Sequence, residues 1–84
     1  MLRVLYFASV REAVGVGEER LDPPPEIKTV NALVDWLATS SAAHAAAFAD
    51  RSRLRAAVDG RFAELGAELD DAAEVALFPP VTGG

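Results

Sequence analysis

Residues 74–84 are Glu74-Val75-Ala76-Leu77-Phe78-Pro79-Pro80-Val81-Thr82-Gly83-Gly84. The apolar run at the start predicts a strand, and the two prolines end it because proline lacks the N–H that a sheet requires. The four residues that follow carry no large side chain and span roughly 13 Å when extended. A frayed terminus would explain a Gly-Gly pair alone. A strand, two prolines, a short spacer and a terminal Gly-Gly together instead favour a terminus that stands away from the domain. We therefore expect a domain at residues 1–80 and a flexible C-terminal tail at residues 81–84.

The tip of this tail is suited to enter other proteins. Gly83 and Gly84 have no Cβ, so the end of the chain is as thin as a polypeptide can be. A carboxylate on Gly84 can then enter a narrow active site and be attacked there without steric hindrance. The sequence therefore places the candidate reactive group on the main chain.

Composition limits the possible functions. The chain has 84 residues, 51% of them hydrophobic, which predicts one small folded domain. Its net charge of −5, with no basic run, argues against nucleic acid or an anionic membrane as partner and allows a basic protein partner. The absence of cysteine excludes a thiol and a disulfide framework. We expect a cytoplasmic protein, because the short apolar N-terminus lacks the features of a signal peptide.

Hydrophobic patterning predicts the secondary structure. Strands are expected at residues 2–9, 18–21, 54–58, 61–64 and 74–78, and a helical turn at residues 11–14. A helix capped by Thr29 should bury an apolar stripe formed by Val30, Leu33, Val34 and Leu37. An alanine-rich helix at residues 42–49 should carry Phe48 inward, and Asp59-Gly60 predicts a type I′ hairpin turn. Residues 22–25 form a stiff, proline-rich connector.

This order of elements predicts an α+β fold. Two hairpins flank the helical segment, so the simplest packing is a mixed sheet of about five strands with helix on one face. The long helical crossover allows the first and last strands to pair in parallel at the centre. That arrangement is a ubiquitin-like β-grasp.

Alternation along the strands predicts an apolar patch on the open face. Phe7, Phe62 and Phe78 each share a face with a charged residue, so we expect the three rings to form an exposed contact surface. The alternative is that a ring belongs to a secondary core.

Trp36 is interpreted as a residue at the edge of the core. His44, the only histidine, is expected to face solvent, and no metal site is expected.

The tail sequence at residues 78–84 resembles that of the small, sulfur-carrying subunit of molybdopterin synthase, the MoaD type. Residues 4–12, 56–59 and 74–76 are similar to other parts of that family, and the resemblance covers the whole chain. It implies a sulfur carrier that is not catalytic alone. An ATP-dependent adenylyltransferase of the ubiquitin-activating type would form a transient acyl-adenylate at Gly84. The carrier itself would bind no cofactor.

The resemblance also implies partners and site residues. The Gly84 thiocarboxylate would donate sulfur to cyclic pyranopterin monophosphate within a heterotetramer with the large synthase subunit, forming the dithiolene of molybdopterin. Pro80, Val81, Thr82 and Gly83 would thread into partner active sites. The family's partner contacts correspond to Phe7, Arg11, Phe62 and Phe78, although Arg11 is equally compatible with an ordinary surface charge.

Two departures from the family and three alternatives remain. Ala72-Ala73 stands where the family usually has Gly-Asp, so a positive φ at Ala72 would cost about 1 kcal/mol. The connector at residues 23–25 is also unusual. The alternatives are a carrier for another pathway, such as thiazole or a sulfur amino acid, a modifier conjugated to lysines through Gly84, and a plain interaction module.

Overall fold

The computed structural model describes residues 1–80, so the tail predicted at residues 81–84 lies outside the described residues. None of the helices within that range is long and apolar enough to cross a membrane. The elements, in chain order, are β1 (Leu2–Tyr6), α1 (Ala8–Val14), β2 (Glu18–Leu21), α2 (Val30–Ala38), α3 (Ala42–Ala47), a 3-10 turn (Arg51–Arg53), β3 (Arg55–Val58), β4 (Arg61–Ala63) and β5 (Glu74–Phe78).

One mixed sheet forms the base of the domain, with strand order β2-β1-β5-β3-β4. The central strands β1 and β5 are parallel, whereas the other three pairs are antiparallel. Strands β2 and β5 have the bounds predicted from the sequence. The predicted ubiquitin-like β-grasp, with the first and last strands paired at the centre, is therefore confirmed.

Helix α2 closes the core over one face of this sheet. The Thr29 side chain caps it as predicted, because its Oγ1 accepts a hydrogen bond from the Ala32 amide at 3.1 Å. The four residues of the predicted stripe are all buried, and they pack against the sheet residues Val4, Tyr6, Val75 and Leu77. Burying each such side chain contributes roughly 1.5–3 kcal/mol. Trp36 packs against the edge of this core, as expected.

The first strand is shorter than predicted. It ends at Tyr6, so the predicted strand residue Phe7 instead stands at the N-cap of α1, and Ala8 and Ser9 begin that helix. Ala8 turns the chain sharply with a φ of 51°, a left-handed conformation that alanine rarely adopts. No glycine or proline marks this corner, so the sequence carries no breaker signal. The helical turn predicted at residues 11–14 is confirmed as the end of α1.

The C-terminal half follows the prediction closely. Phe48 points inward from the end of α3, with 3% of its surface exposed. Asp59 and Gly60 have φ values of 48° and 80°, as a type I′ turn requires. The turn before β5 places its positive φ at Asp70 and not at Ala72. Aspartate tolerates this region better than alanine does, so the substitution at Ala72 does not strain that position.

Candidate functional site

The last described residues form the root of the tail. β5 is hydrogen-bonded on both sides up to this point: Phe78 is in register with Arg55 of β3, and the Phe7 amide donates to the Leu77 carbonyl at 3.1 Å. Pro79 and Pro80 then leave the sheet, both partly buried. The predicted reactive residue Gly84 and the threading residues 81–83 lie outside the described residues. The backbone that leads to them is held firmly by the sheet.

The open face of the sheet carries an apolar strip. Register pairs Leu5 with Ala76, Ala76 with Ala57, and Ala57 with Phe62, so these residues run across four strands. Because Val75 and Leu77 point into the core, alternation directs Ala76 and Phe78 to this face. The open face is therefore apolar at its centre.

Phe62 and Phe78 meet on this face. Their ring centroids are 5.9 Å apart in an edge-to-face arrangement, which contributes about 0.5–1.5 kcal/mol beyond area burial. β3 lies between the two strands, and the small side chain of Ala57 leaves room for the contact. A groove of about 420 Å³ borders the rings, and its lining residues are Arg55, Ala56, Phe62, Ala63, Glu64 and Phe78. Phe62 remains 85% exposed, so its ring is available to a partner.

The other two predicted contact residues lie outside this ring pair. Phe7 is 47% exposed and precedes α1, on the β1 side of Phe78. Arg11 lies on α1, and its guanidinium packs so closely over Gly17 that a Cβ there would lie 3.1 Å from Nε. The structure thus joins two of the three predicted rings directly. The role of all four residues as partner contacts stays a prediction.

Charged residues border the strip at both ends. At one end Arg3 pairs with Glu74 across β1 and β5, and lies 3.9 Å from Glu18. At the other end, next to Phe78, one guanidinium nitrogen of Arg55 donates to the carbonyls of Ser52 and Leu54 at 3.2 and 2.9 Å. These bonds hold Arg55 beside the groove. A partner would therefore meet an apolar centre with a charged rim, the usual anatomy of a protein interface.

A polar cluster under the helices was missed by the sequence analysis. His44 is buried and not solvent-facing as predicted, because its Nε2 lies 2.6 Å from Oε1 of Glu19. The Tyr6 hydroxyl donates to the same oxygen at 2.7 Å, and Ser41 Oγ lies 2.7 Å from His44 Nδ1. The cluster is accounted for once the strand register is known: Glu19 pairs with buried Val4, so its carboxylate faces inward and requires donors.

The cluster shifts two pKa values. Burial, followed by the hydrogen bond to Glu19, raises the pKa of the Tyr6 hydroxyl. Burial alone would raise the pKa of Glu19, but the hydrogen bonds from His44 and Tyr6 outweigh it and hold that pKa below its usual value. The cluster therefore favours an ionised Glu19 that fixes α3 to the sheet. It lies on the core side, away from the open face. Within residues 1–80 no three metal-ligating side chains come together.

Known proteins resemble this chain over nearly its full length. The profile of the ThiS family matches residues 4–84. The chain is 42% identical to the molybdopterin synthase sulfur carrier subunit of Escherichia coli K12 over 84 residues, which cover all of both chains. The subunit of that name from Homo sapiens is 35% identical over 86 residues, which cover 99% of this chain and 93% of the relative.

Solved structures share the fold. The putative molybdopterin converting factor subunit 1 from Pyrococcus furiosus superimposes with a TM-score of 0.72 at 31% identity, covering 95% of this chain and 97% of that one. The small archaeal modifier protein 1 of Haloferax volcanii gives a TM-score of 0.71 at 30% identity, with the same coverage.

Proposed function

This chain belongs to the ThiS family, and we propose that it is the sulfur carrier of molybdenum cofactor biosynthesis. It would act as the small subunit of a molybdopterin synthase. The observation that carries the proposal is the full-length identity of 42% and 34% to two bacterial proteins named molybdopterin synthase sulfur carrier subunit. The fold supports it, because β5 leads from the centre of the sheet to the proline pair that precedes the tail.

The first chemical step is activation of the Gly84 carboxylate. A carboxylate is a poor electrophile, so an adenylyltransferase of the ubiquitin-activating type joins it to AMP and releases pyrophosphate from ATP. A sulfur nucleophile then attacks the acyl carbon and displaces AMP. The product is a thiocarboxylate, whose sulfur is a good nucleophile. The chain supplies only its terminus to this step and binds no cofactor of its own.

The second step delivers sulfur within the synthase. Residues 80–84 enter the large subunit, and the thiocarboxylate sulfur attacks cyclic pyranopterin monophosphate to form a thioester with Gly84. Water then cleaves the acyl–sulfur bond, which leaves the sulfur on the pterin and returns Gly84 to a carboxylate. The dithiolene of molybdopterin contains two sulfurs, so two loaded carriers are consumed for each product. A heterotetramer of two carriers on a dimer of large subunits meets this requirement. The open face with Phe62 and Phe78 is the surface available to hold the carrier there.

Deletion of Gly84 tests the proposal in cells that depend on this chain. We expect molybdoenzyme activity to be lost, while circular dichroism and thermal unfolding of the purified variant match those of the wild type. Intact-mass analysis of the wild-type chain should show replacement of one terminal oxygen by sulfur. Persistent molybdoenzyme activity after the deletion would contradict the proposal.

A second candidate function is protein modification. The 30% identity to a small archaeal modifier protein supports it, since a modifier would use the same activated Gly84 to form an amide with a lysine of a target protein. High-mass conjugates in denaturing gels would indicate this function, and their absence together with a thiocarboxylate would favour the carrier. Carriers for thiazole or sulfur amino acids share the chemistry, and molybdoenzyme activity separates them.

A further inference from the structure

The two edges of the sheet differ in how they are protected. β2 forms one edge, and three of its four residues are charged: Glu18, Glu19 and Arg20. Charges on an edge strand discourage the addition of another strand. β4 forms the other edge, with only Arg61 charged and with Phe62 exposed at its centre. The β4 edge is therefore more open than the β2 edge to the addition of another strand.

The hairpin register directs the backbone of Phe62 outward. Val58 and Arg61 close the two-residue type I′ turn, so they form a hydrogen-bonded pair. Paired residues alternate between bonded and non-bonded in antiparallel sheets, so the next pair, Ala57 and Phe62, is non-bonded. The N–H and C=O of Phe62 consequently point away from β3. Since β4 is the edge strand, these two groups face out of the sheet.

We propose that the outer edge of β4 receives an extended segment of the large synthase subunit, which adds a strand to the sheet at Phe62. This inference rests on the proposed function. Strand addition gains affinity from main-chain hydrogen bonds and specificity from pockets for alternate side chains. The groove that borders Phe62 and Phe78 supplies such a pocket, and it takes one apolar side chain of the added segment.

The position of the tail root restricts the occupant to a partner that takes up Gly84. Of the two partners proposed above, the large subunit is the one that holds the carrier in a heterotetramer. Phe78 lines the groove and is followed directly by the proline pair from which the tail leaves. The tail reaches only about 13 Å beyond that point. A protein that holds Gly84 in its active site must therefore lie against this end of the sheet, next to β4. The edge itself spans three residues, so it adds to the affinity of the tail and does not replace it.

Amide hydrogen exchange of the full chain tests this inference. In the free chain we expect rapid exchange at Phe62 and slower exchange at Ala63, whose amide belongs to a bonded pair with β3. Addition of the purified large subunit from the same organism should protect the Phe62 amide. A complex that forms while this amide stays unprotected would overturn the inference. Failure of the wild-type chain to bind the large subunit would instead contradict the proposed function.

A pair of variants separates the ring of Phe62 from its backbone. F62A removes the ring and keeps the N–H, whereas F62P removes both; proline is tolerated at edges where the N–H faces outward. By calorimetry we expect F62P to bind the large subunit roughly 2- to 13-fold more weakly than F62A, the effect of the one hydrogen bond that the missing N–H would donate. Equal affinities of the two folded variants would overturn the inference. If F62P does not fold, the amide exchange experiment on the wild-type chain provides the test.

A second copy of this chain is the competing occupant. Sedimentation of the free chain at increasing concentration, with exchange measured in parallel, distinguishes it. A monomer with an unprotected Phe62 amide supports the inference. A dimer that protects this amide before any partner is added would overturn it, because the edge would then serve self-association.

Discussion

His44 Nε2 lies 2.6 Å from Oε1 of Glu19, although the two residues are 25 positions apart. The contact joins α3 to β2, and Tyr6 of β1 donates to the same carboxylate oxygen. Three elements therefore meet at one partly buried carboxylate. Helix α3 is only six residues long, and an isolated helix of that length would be unstable in water. The cluster thus stabilises a helix that cannot stabilise itself.

Replacement of Glu19 by alanine should lower the free energy of unfolding. The change leaves the His44 ring and the Tyr6 hydroxyl without their acceptor in a buried site, at a cost of about 1–3 kcal/mol. Urea denaturation of the purified chain measures it. Glu18→Ala is the matched control, because Glu18 is exposed and its ion pairs with Arg3 and Arg20 are worth less than about 1 kcal/mol. Equal losses in the two variants would contradict the role of the cluster.

The lowered pKa of Glu19 predicts a specific acid sensitivity. Its folded-state pKa lies below the unfolded value of about 4.3, so the unfolded chain binds more protons in that window. The stabilisation is therefore complete above about pH 4.3 and is lost as the pH falls through the folded-state pKa. The difference in unfolding free energy between wild type and Glu19→Gln should shrink as the pH is lowered. A difference that stays constant across this range would argue against an ionised Glu19.

Asp59 should be important for stability because it joins two turns. Its Oδ1 accepts hydrogen bonds from the amides of Ala73 and Glu74 at 2.9 and 3.0 Å, and its own φ is 48°. Asp59→Ala removes both bonds and places alanine in a left-handed conformation, so we expect a loss of about 2 kcal/mol and a fall in Tm of roughly 8–16 °C. Calorimetric scans measure the shift. Asn at this position keeps an acceptor and tolerates the turn, so Asp59→Asn should lose much less.

Phe78→Asp should weaken binding to the large synthase subunit. The substitution places an uncompensated charge in the apolar strip beside Phe62, and desolvating it in an interface is costly. We expect a loss of at least tenfold in affinity by calorimetry, with the fold retained by circular dichroism. Ala45→Asp, on the exposed side of α3, introduces the same charge away from the strip and should bind normally. Unchanged affinity for Phe78→Asp would remove Phe78 from the contact surface.

Much of this fold could be predicted because its signals are local. The strand at residues 74–78 ends at two prolines, and the Thr29 cap and the Asp59-Gly60 turn each follow from side chains next to the positions they define. Alternation was sufficient to place Phe62 and Phe78 on the same face. Their contact across Ala57 then required only the strand order, which the β-grasp supplies.

The features that were missed depend on the tertiary structure. Ala8 adopts a positive φ at the corner between β1 and α1, and no feature of the local sequence predicts it. The burial of His44 depends on where α3 comes to rest over β2, which no local pattern encodes. The outward direction of the Phe62 backbone groups is partly predictable from the sequence. It follows from the length of the turn once the pairing of Ala57 with Phe62 is known.

The embedding of β5 between β1 and β3 has a mechanical consequence. A pulling force applied to the C-terminus would act along β5 and would load the ladders on both of its sides in shear, so many hydrogen bonds would resist it together. A partner could therefore pull on the C-terminus and release it at each turnover without unfolding the domain. The domain would therefore stay folded through repeated insertion and removal of its C-terminus.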